Sequence, residues 1–482
     1  MSFFRNVLWN LSGTIGVQLI GLITNIILAR LLTPEIFGVV SLALVIIVFV
    51  HIIQEAGLSS VLVQKQKITK PLVATTFYVN ITLSITLSLL VLFIAPKVAL
   101  FYGYPELEKL LYYSIFGIII GSFGVTFRGL LMRRRQFKKI SIINLISELL
   151  GTILTFILFY FEEYFLAVGI RIIARPAFQS ILLAYISNLN EIKGRPKIHL
   201  LKEILPFSSS VLGIKATNYI KNNVDYIVIG KILGSQSLGI YTIAFQWSTI
   251  AKFYISGSVA KVLFPEISKK QHDIFRVRQL FLNTVKHASF VIFPFCIGLM
   301  LIAPEFIYVI YGQQWSDAVP ILQVLMIAGL LSSLGTVVGI VFQGLGRPNI
   351  ELKITAISIF VFILLLIAGS YYGLIGVAFA VLIHAAIFDS ILILQAIRLL
   401  NIPIKDLLKS LRSPFYSMVF VIIFYYLIKY MFFYEVYTFT SFSALLFIQI
   451  VLYIIASCLF NMPIVMSIYN IAKSIFLKAK DS

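Results

Sequence analysis

Fourteen apolar runs of bilayer-spanning length follow one another between residues 7 and 461. A spanning helix needs about 20 mostly apolar residues. Hydrocarbon offers no hydrogen-bond partners, so each run must close its backbone bonds within a helix. The runs lie near 7–31, 35–54, 72–101, 107–132, 140–160, 164–189, 205–231, 236–262, 279–303, 318–343, 349–370, 373–398, 412–431 and 437–461. Composition agrees, with 60% of the 482 residues apolar and 12% charged. An ordinary soluble enzyme is excluded, because soluble domains are about 45–50% apolar.

The few charges are lopsided: 39 Lys and Arg against 19 Asp and Glu, net +20. A nucleic-acid partner would need a basic patch on a soluble face. Here the charges form short clusters between apolar runs, so no nucleic-acid partner is expected. Lys and Arg collect in cytoplasmic loops. With fourteen spans, 27 basic residues fall on one side, in clusters such as Lys65–Lys70, Arg133–Lys139 and Lys193–Lys202, and 5 (Arg30, Lys97, Lys109, Lys231, Lys429) fall on the other. This alternation predicts an even span count with both termini in the cytoplasm. The longest outer connection, 304–317, holds Glu305 and Asp317 and no basic residue. Cys296 and Cys458 sit in separate apolar runs without motif partners, so no disulfide, metal or other cofactor is expected. The first run is long and is followed at once by a second span, unlike a cleavable signal. In the tail, Ile464, Ile468, Ile471 and Ile475 recur at helical spacing beside lysines, the pattern of a helix lying on the membrane surface.

The chain also repeats itself. Ala29-Arg-Leu-Leu-Thr-Pro-Glu-Ile-Phe-Gly38 aligns with Gly230-Lys-Ile-Leu-Gly-Ser-Gln-Ser-Leu-Gly239 at an offset of 201. Ile94-Ala-Pro-Lys97 aligns with Ile302-Ala-Pro-Glu305, each followed by Tyr-Gly (Tyr102-Gly103, Tyr311-Gly312). Gly124-Val-Thr-Phe-Arg-Gly-Leu130 aligns with Gly339-Ile-Val-Phe-Gln-Gly-Leu345 at an offset of 215. Six spans separate the partners, so the halves enter the membrane in the same orientation, as in transporters whose substrate path lies between parallel repeats. The expected fold is an all-α integral membrane protein of about 14 transmembrane helices. Its parts are an N-lobe (1–189), a cytoplasmic linker (190–204), a C-lobe (205–400), an extra helix pair (401–461) and a cytoplasmic amphipathic tail (462–482).

Charged residues inside spans are costly and face a water-filled cavity or a partner. In the seventh span Lys215, Asn218, Asn222 and Asp225 share one helical face, and Lys221 stands four residues before Asp225, at pairing distance. The repeat-related first span carries a milder stripe of Thr14, Gln18, Gly21 and Asn25. Arg171 and Arg175 share a face of the sixth span, extended by Gln179, and Lys252 lies in the eighth. With Asp225 as the only acid placed at comparable depth, these residues predict a basic cavity. Glu148, His384 and Asp389 are separate candidates for proton or ion coupling. Arg30, Arg128 and Lys231 are read as snorkelling side chains, and Gly117/Gly121 and Gly335/Gly339 as helix-packing pairs. Arg holds phosphate oxygens in a bidentate fork and Lys acts as a point charge, so a phosphate or pyrophosphate head group is the natural ligand of such a cavity.

Over nearly all its length the chain resembles the Wzx-like flippases, the polysaccharide-transport branch of the multidrug/oligosaccharidyl-lipid/polysaccharide exporter superfamily. The likeness rests on Ala29–Gly38, on Asn222-Asn-Val-Asp-Tyr-Ile-Val-Ile-Gly-Lys-Ile-Leu-Gly234 with Leu238-Gly-Ile-Tyr241, on Leu263-Phe-Pro-Glu-Ile-Ser268 and on Gly346-Arg-Pro348. It implies two six-helix lobes plus an extra helix pair, rocking between inward-open and outward-open states in the bacterial cytoplasmic membrane. The implied cargo is an undecaprenyl-pyrophosphate-linked oligosaccharide, with membrane lipids and the polysaccharide polymerase machinery as partners. A drug/cation antiporter of the same superfamily would need an acidic cavity. A polysaccharide polymerase or glycosyltransferase would need a large outer loop or a catalytic domain. A lipid-surface scaffold using Arg133–Lys139 would not need fourteen spans.

Overall fold

The computed structural model describes residues 3–161, 164–187, 189–432, 437–462 and 464–466. Among them it is all-helical: α1 Phe3–Leu31, α2 Pro34–Glu55, α3 Leu58–Gln64, α4 Lys70–Tyr102, α5 Pro105–Arg133, α6 Phe137–Phe159, α7 Tyr164–Ile186, α8 Leu201–Ile232, α9 Gly234–Ile250, α10 Gly257–Lys269, α11 Ile274–Leu301, α12 Ala303–Phe306, α13 Ala318–Gly344, α14 Pro348–Ser370, α15 Gly373–Leu399, α16 Ile404–Phe432 and α17 Phe439–Phe460. The chain is an all-α integral membrane protein. Twelve helical stretches among the described residues are long and apolar enough to cross a bilayer. The other two expected spans are helical but different in character. One is α8, which carries Lys215, Lys221, Asp225 and Lys231. The other is built from α9 and α10 joined by a π-helical turn, 251–256. Of the isoleucine stripe expected in the tail, Ile468, Ile471 and Ile475 lie outside the described residues.

Contacts divide the chain into two units, Met1–Gly239 and Ile240–Ser482. This division groups α8 with the first seven helices. In the first unit glycines let helices approach closely. A Cβ on Gly117 of α5 would stand 2.7 Å from the Ile172 carbonyl oxygen of α7, and one on Gly124 would stand 2.8 Å from Ser180 Oγ. Thr33 caps α2 by accepting from Ile36 N–H at 3.4 Å, with Pro34 opening the helix. The α2 chain then bends at Ala56 and Gly57, both left-handed (φ 39° and 69°), before α3 packs on α5. α8 is tied to α2 by Tyr219, whose hydroxyl donates to the Val45 carbonyl at 2.8 Å.

The second unit builds the same plan with different detail. Gly129 of α5 faces Ser59 and Leu62 of α3, while its repeat partner Gly344 of α13 faces Ile267 of α10. A short helix thus lies against the end of the corresponding span in both units. The Ile-Ala-Pro motifs diverge. Pro96 is carried inside the continuous α4. Pro304 opens a new short helix, α12, which runs into a π turn, 307–311, ended by Gly312 at φ 103°. This connection is a packed cap: Trp315 is fully buried, and Trp247 Nε1 donates to the Tyr311 hydroxyl at 2.7 Å. The extra pair α16–α17 fastens to α11, with Tyr453 donating to the Phe290 carbonyl at 2.5 Å and Gln449 to that of Gly298 at 3.2 Å.

The repeated corners between α1 and α2 and between α8 and α9 meet each other. A Cβ added to Gly38 would overlap the Ser235 carbonyl oxygen, and one added to Gly239 would overlap that of Pro34. Both pairs are exchanged by the same 201-residue offset, so the contact is pseudo-two-fold. Gly38→Ala and Gly239→Ala should each destabilise by about 1–3 kcal/mol, the range for overpacking. The double variant should lose less than the sum because the sites share one contact. Thermal unfolding of the three variants in detergent micelles measures this.

Candidate functional site

The intramembrane charges of the first unit are brought together across helices. Arg171 and Arg175 are one turn apart on α7 and therefore share a face. Both reach Glu148 on α6: Arg171 Nη2 to Oε1 at 2.8 Å and Arg175 Nε to Oε2 at 2.9 Å. The Glu148 side chain is 1% exposed and that of Arg175 is 52% exposed. Gly151, three residues after Glu148, packs against Arg175: a Cβ there would sit 3.4 Å from Arg175 Cβ, an ordinary contact. Beside this triad Gln179 Nε2 donates to Asn144 Oδ1 at 2.7 Å, again α7 to α6.

A second pair lies between α8 and α2, where Lys215 Nζ stands 2.8 Å from Glu55 Oε2. One turn back on α2, His51 Nδ1 and Gln54 Oε1 are 2.8 Å apart, and Gln54 Nε2 donates to the Ile118 carbonyl of α5 at 2.7 Å. Asn80 of α4 donates to the Gln54 carbonyl at 3.3 Å. Arg175 acts electrostatically on His51 as well as on Glu148.

The expectation that Asp225 is the only acid at this depth is corrected. Glu148 is the shared counter-ion of two arginines and Glu55 that of Lys215, so five charged groups carry a surplus of one positive charge. Glu55, His51 and Gln54 were not singled out in the sequence. Their signal was a His-x-x-Gln-Glu cluster closing an otherwise apolar run.

Other expected residues stand as follows. Gln18 and Asn25 are half-buried on α1. Asn218 is exposed and its carbonyl accepts from Asn222 Nδ2 at 2.8 Å. Lys221 is half-buried, and Asp225 is buried with Oδ1 accepting from the Tyr226 N–H at 3.0 Å. Lys252 belongs to the second unit, in the π turn. In that unit His384 lies between the rings of Phe362 and Phe388, at 4.5 and 5.0 Å. Asp389 accepts from Ser332 Oγ at 3.0 Å and stands against Gly335. The second unit also holds a buried pair that sequence reading left on the outer surface: Lys429 Nζ to Glu305 Oε1 at 2.6 Å, with Glu305 0% and Lys429 20% exposed. Among the described residues no group of three or more His, Cys, Asp or Glu could hold a metal ion.

A family described as "Polysaccharide biosynthesis protein" matches residues 27–320. The lipopolysaccharide biosynthesis protein WzxC of Escherichia coli (strain K12) is 25% identical over 414 residues, 85% of this chain and 84% of that protein. The succinoglycan biosynthesis transport protein ExoT of Rhizobium meliloti (strain 1021) is 29% identical over 337 residues, 69% of this chain and 67% of that protein. Among solved structures, the lipid II flippase MurJ in an inward closed conformation shares the fold, with a TM-score of 0.73 and 16% identity, covering 95% of this chain and 100% of that one.

Removing one partner of a buried ion pair costs about 3–5 kcal/mol, because the other charge is left without compensation. Glu148→Gln should therefore destabilise strongly, since it strands two arginines. Arg171→Gln, which leaves Glu148 paired once, should cost less. In the second unit Lys429→Met should cost a similar amount to Glu148→Gln, and adding Glu305→Gln should restore most of it. Unfolding midpoints in detergent give both orders.

Proposed function

The chain belongs to the polysaccharide biosynthesis protein family, and we propose that it is a flippase. It moves a polyprenyl-pyrophosphate-linked oligosaccharide across the bacterial cytoplasmic membrane for surface polysaccharide biosynthesis. The carrier lipid is of the undecaprenyl pyrophosphate type, both termini are cytoplasmic, and the product is handed to the polysaccharide polymerase machinery. Two lobes, residues 1–189 and 205–400, alternate access. The protein is a transporter rather than an enzyme.

The observation that carries this reading is the Glu148 triad. Arg175 Nε stands 2.9 Å from Glu148 Oε2 on a side chain that is half-exposed, so part of the guanidinium is open to another anion. A pyrophosphate can take the two guanidiniums from a single carboxylate because it offers more charge and more acceptor oxygens in the same fork geometry. When it departs, Glu148 closes the pairs again, so neither arginine is stranded in either state. Lys215 with Glu55, both part-exposed, offers polar groups to a hydrophilic sugar while the prenyl chain stays in lipid. Lys221, Asn218, Asn222, Asp225, Gln18 and Asn25 are assigned to the same path, Lys252 to substrate contact in the second unit, and Glu148, His384 and Asp389 to ion coupling. A drug/cation antiporter needs carboxylates in excess, and the charges gathered on α2, α6, α7 and α8 have the opposite balance.

Flipping is measured in proteoliposomes loaded with a lipid-linked oligosaccharide. Arg171→Gln/Arg175→Gln should slow initial flipping at least about tenfold, since a hydrogen bond to a charged group is worth about 1.5–3 kcal/mol. An unchanged rate overturns the assignment. Moving negative charge outward through an inside-negative membrane is favourable by about 2.3 kcal/mol per charge per 100 mV. Flipping should therefore accelerate under an imposed inside-negative potassium potential.

A further inference from the structure

Away from the intramembrane charges, a cavity of about 440 Å³ opens at the end of the first unit where α4 begins and α5 ends. Val73 and Leu130, both buried, form its apolar floor. Lys70, Arg133, Arg134 and Glu191 form its rim. Two basic segments far apart in sequence, 65–70 and 133–139, supply its rim, and a third, 193–197, packs against the start of α4. They are held there by named contacts. Arg133 donates to the carbonyls of Leu62 (3.1 Å), Val63 (3.4 Å), Lys65 and Gln66 (2.7 Å), which locks the end of α3 to the end of α5. Arg134 is ion-paired with Glu191. Gly194 lies so close to the Lys70–Pro71 peptide that a Cβ would overlap the Lys70 carbonyl, and the Lys197 N–H donates to Thr75 Oγ1 at 2.9 Å. The segment between α7 and α8 is thereby folded onto the mouth of the cavity.

From this we infer that the cavity is a head-group site for an anionic phospholipid of the surrounding membrane. The chemistry is that of an amphiphile: a phosphate at a rim carrying three cations and one carboxylate, with the glycerol and first methylenes on an apolar floor. Arg133 is spent on carbonyls, so Lys70 and Arg134 are the phosphate ligands, and Glu191 is the counter-charge that holds Arg134 when the cavity is empty. The location agrees with the topology proposed above, which places this end at the cytoplasmic leaflet, where basic residues attract anionic lipid. The occupied cavity braces the connection between α7 and α8. The inference rests on that orientation only for the leaflet, and its test reads binding rather than transport, so either can fail without the other.

The full-length protein in detergent is titrated with phosphatidylglycerol, phosphatidylcholine or inorganic phosphate, and bound lipid is read by native mass spectrometry. Phosphatidylglycerol should be retained over phosphatidylcholine, and inorganic phosphate at equal concentration should not displace it. Lys70→Gln, at an exposed position, should weaken phosphatidylglycerol binding about fivefold, the factor expected for one basic residue. Glu191→Gln should strengthen it. A merely structural role for these residues would not give opposite signs. Equal retention of the two lipids, displacement by phosphate, an unchanged Lys70→Gln affinity or weakened binding in Glu191→Gln would each overturn the assignment.

Discussion

A charge carried into a bilayer must find its counter-charge on another helix, because the lipid supplies none. In this chain that requirement ties elements together at three places among the described residues. Glu148 joins α6 to α7, Glu55 joins α2 to α8, and Glu305 joins the cap after α11 to the accessory helix α16. Each carboxylate is less exposed than its cation. This asymmetry is physical. A short carboxylate cannot reach the interface, whereas Arg and Lys have stems long enough to come to it. The acids therefore fix where the links form, and the bases supply the side that can exchange partners.

The all-α membrane fold was legible in the sequence, since it depends on composition along the chain, although α8 and the α9–α10 stretch do not reach the apolarity of the other twelve spans. The pairing of charges was not. Glu148 and Arg171 stand on successive helices, 23 residues apart in sequence, and their meeting depends on how α7 packs against α6. Nothing in the periodicity of either run specifies which neighbour it faces. For the same reason Glu55 was not singled out, and Lys429 read as an outer-side cation. The Gly335/Gly339 pair shows the reverse. Its spacing indicated close packing, and the close neighbours are carboxylates, Asp389 and Glu351, rather than another backbone.

The two units also show how far one motif can diverge after duplication. Ile-Ala-Pro is absorbed in α4 as a proline within a continuous helix, while in the second unit the same three residues end α11 and start a cap of aromatic residues around Trp315 and Tyr311. The following residue differs in charge, Lys97 against Glu305, and the difference has a structural use. A glutamate there can be buried because α16 brings Lys429 to it. The helix pair outside the repeat thus completes a site that the repeat alone leaves unbalanced.

The corner contact between Gly38 and Gly239 has the form of an isologous interface, the self-complementary patch of a two-fold dimer, enclosed within a single polypeptide. Each corner is at once the surface and the template for its counterpart. A change at one is felt as a misfit by the other, so the two sequences cannot drift independently although 201 residues separate them. Where the rest of the duplicated chain has been released to specialise, this point keeps the record of two equal halves.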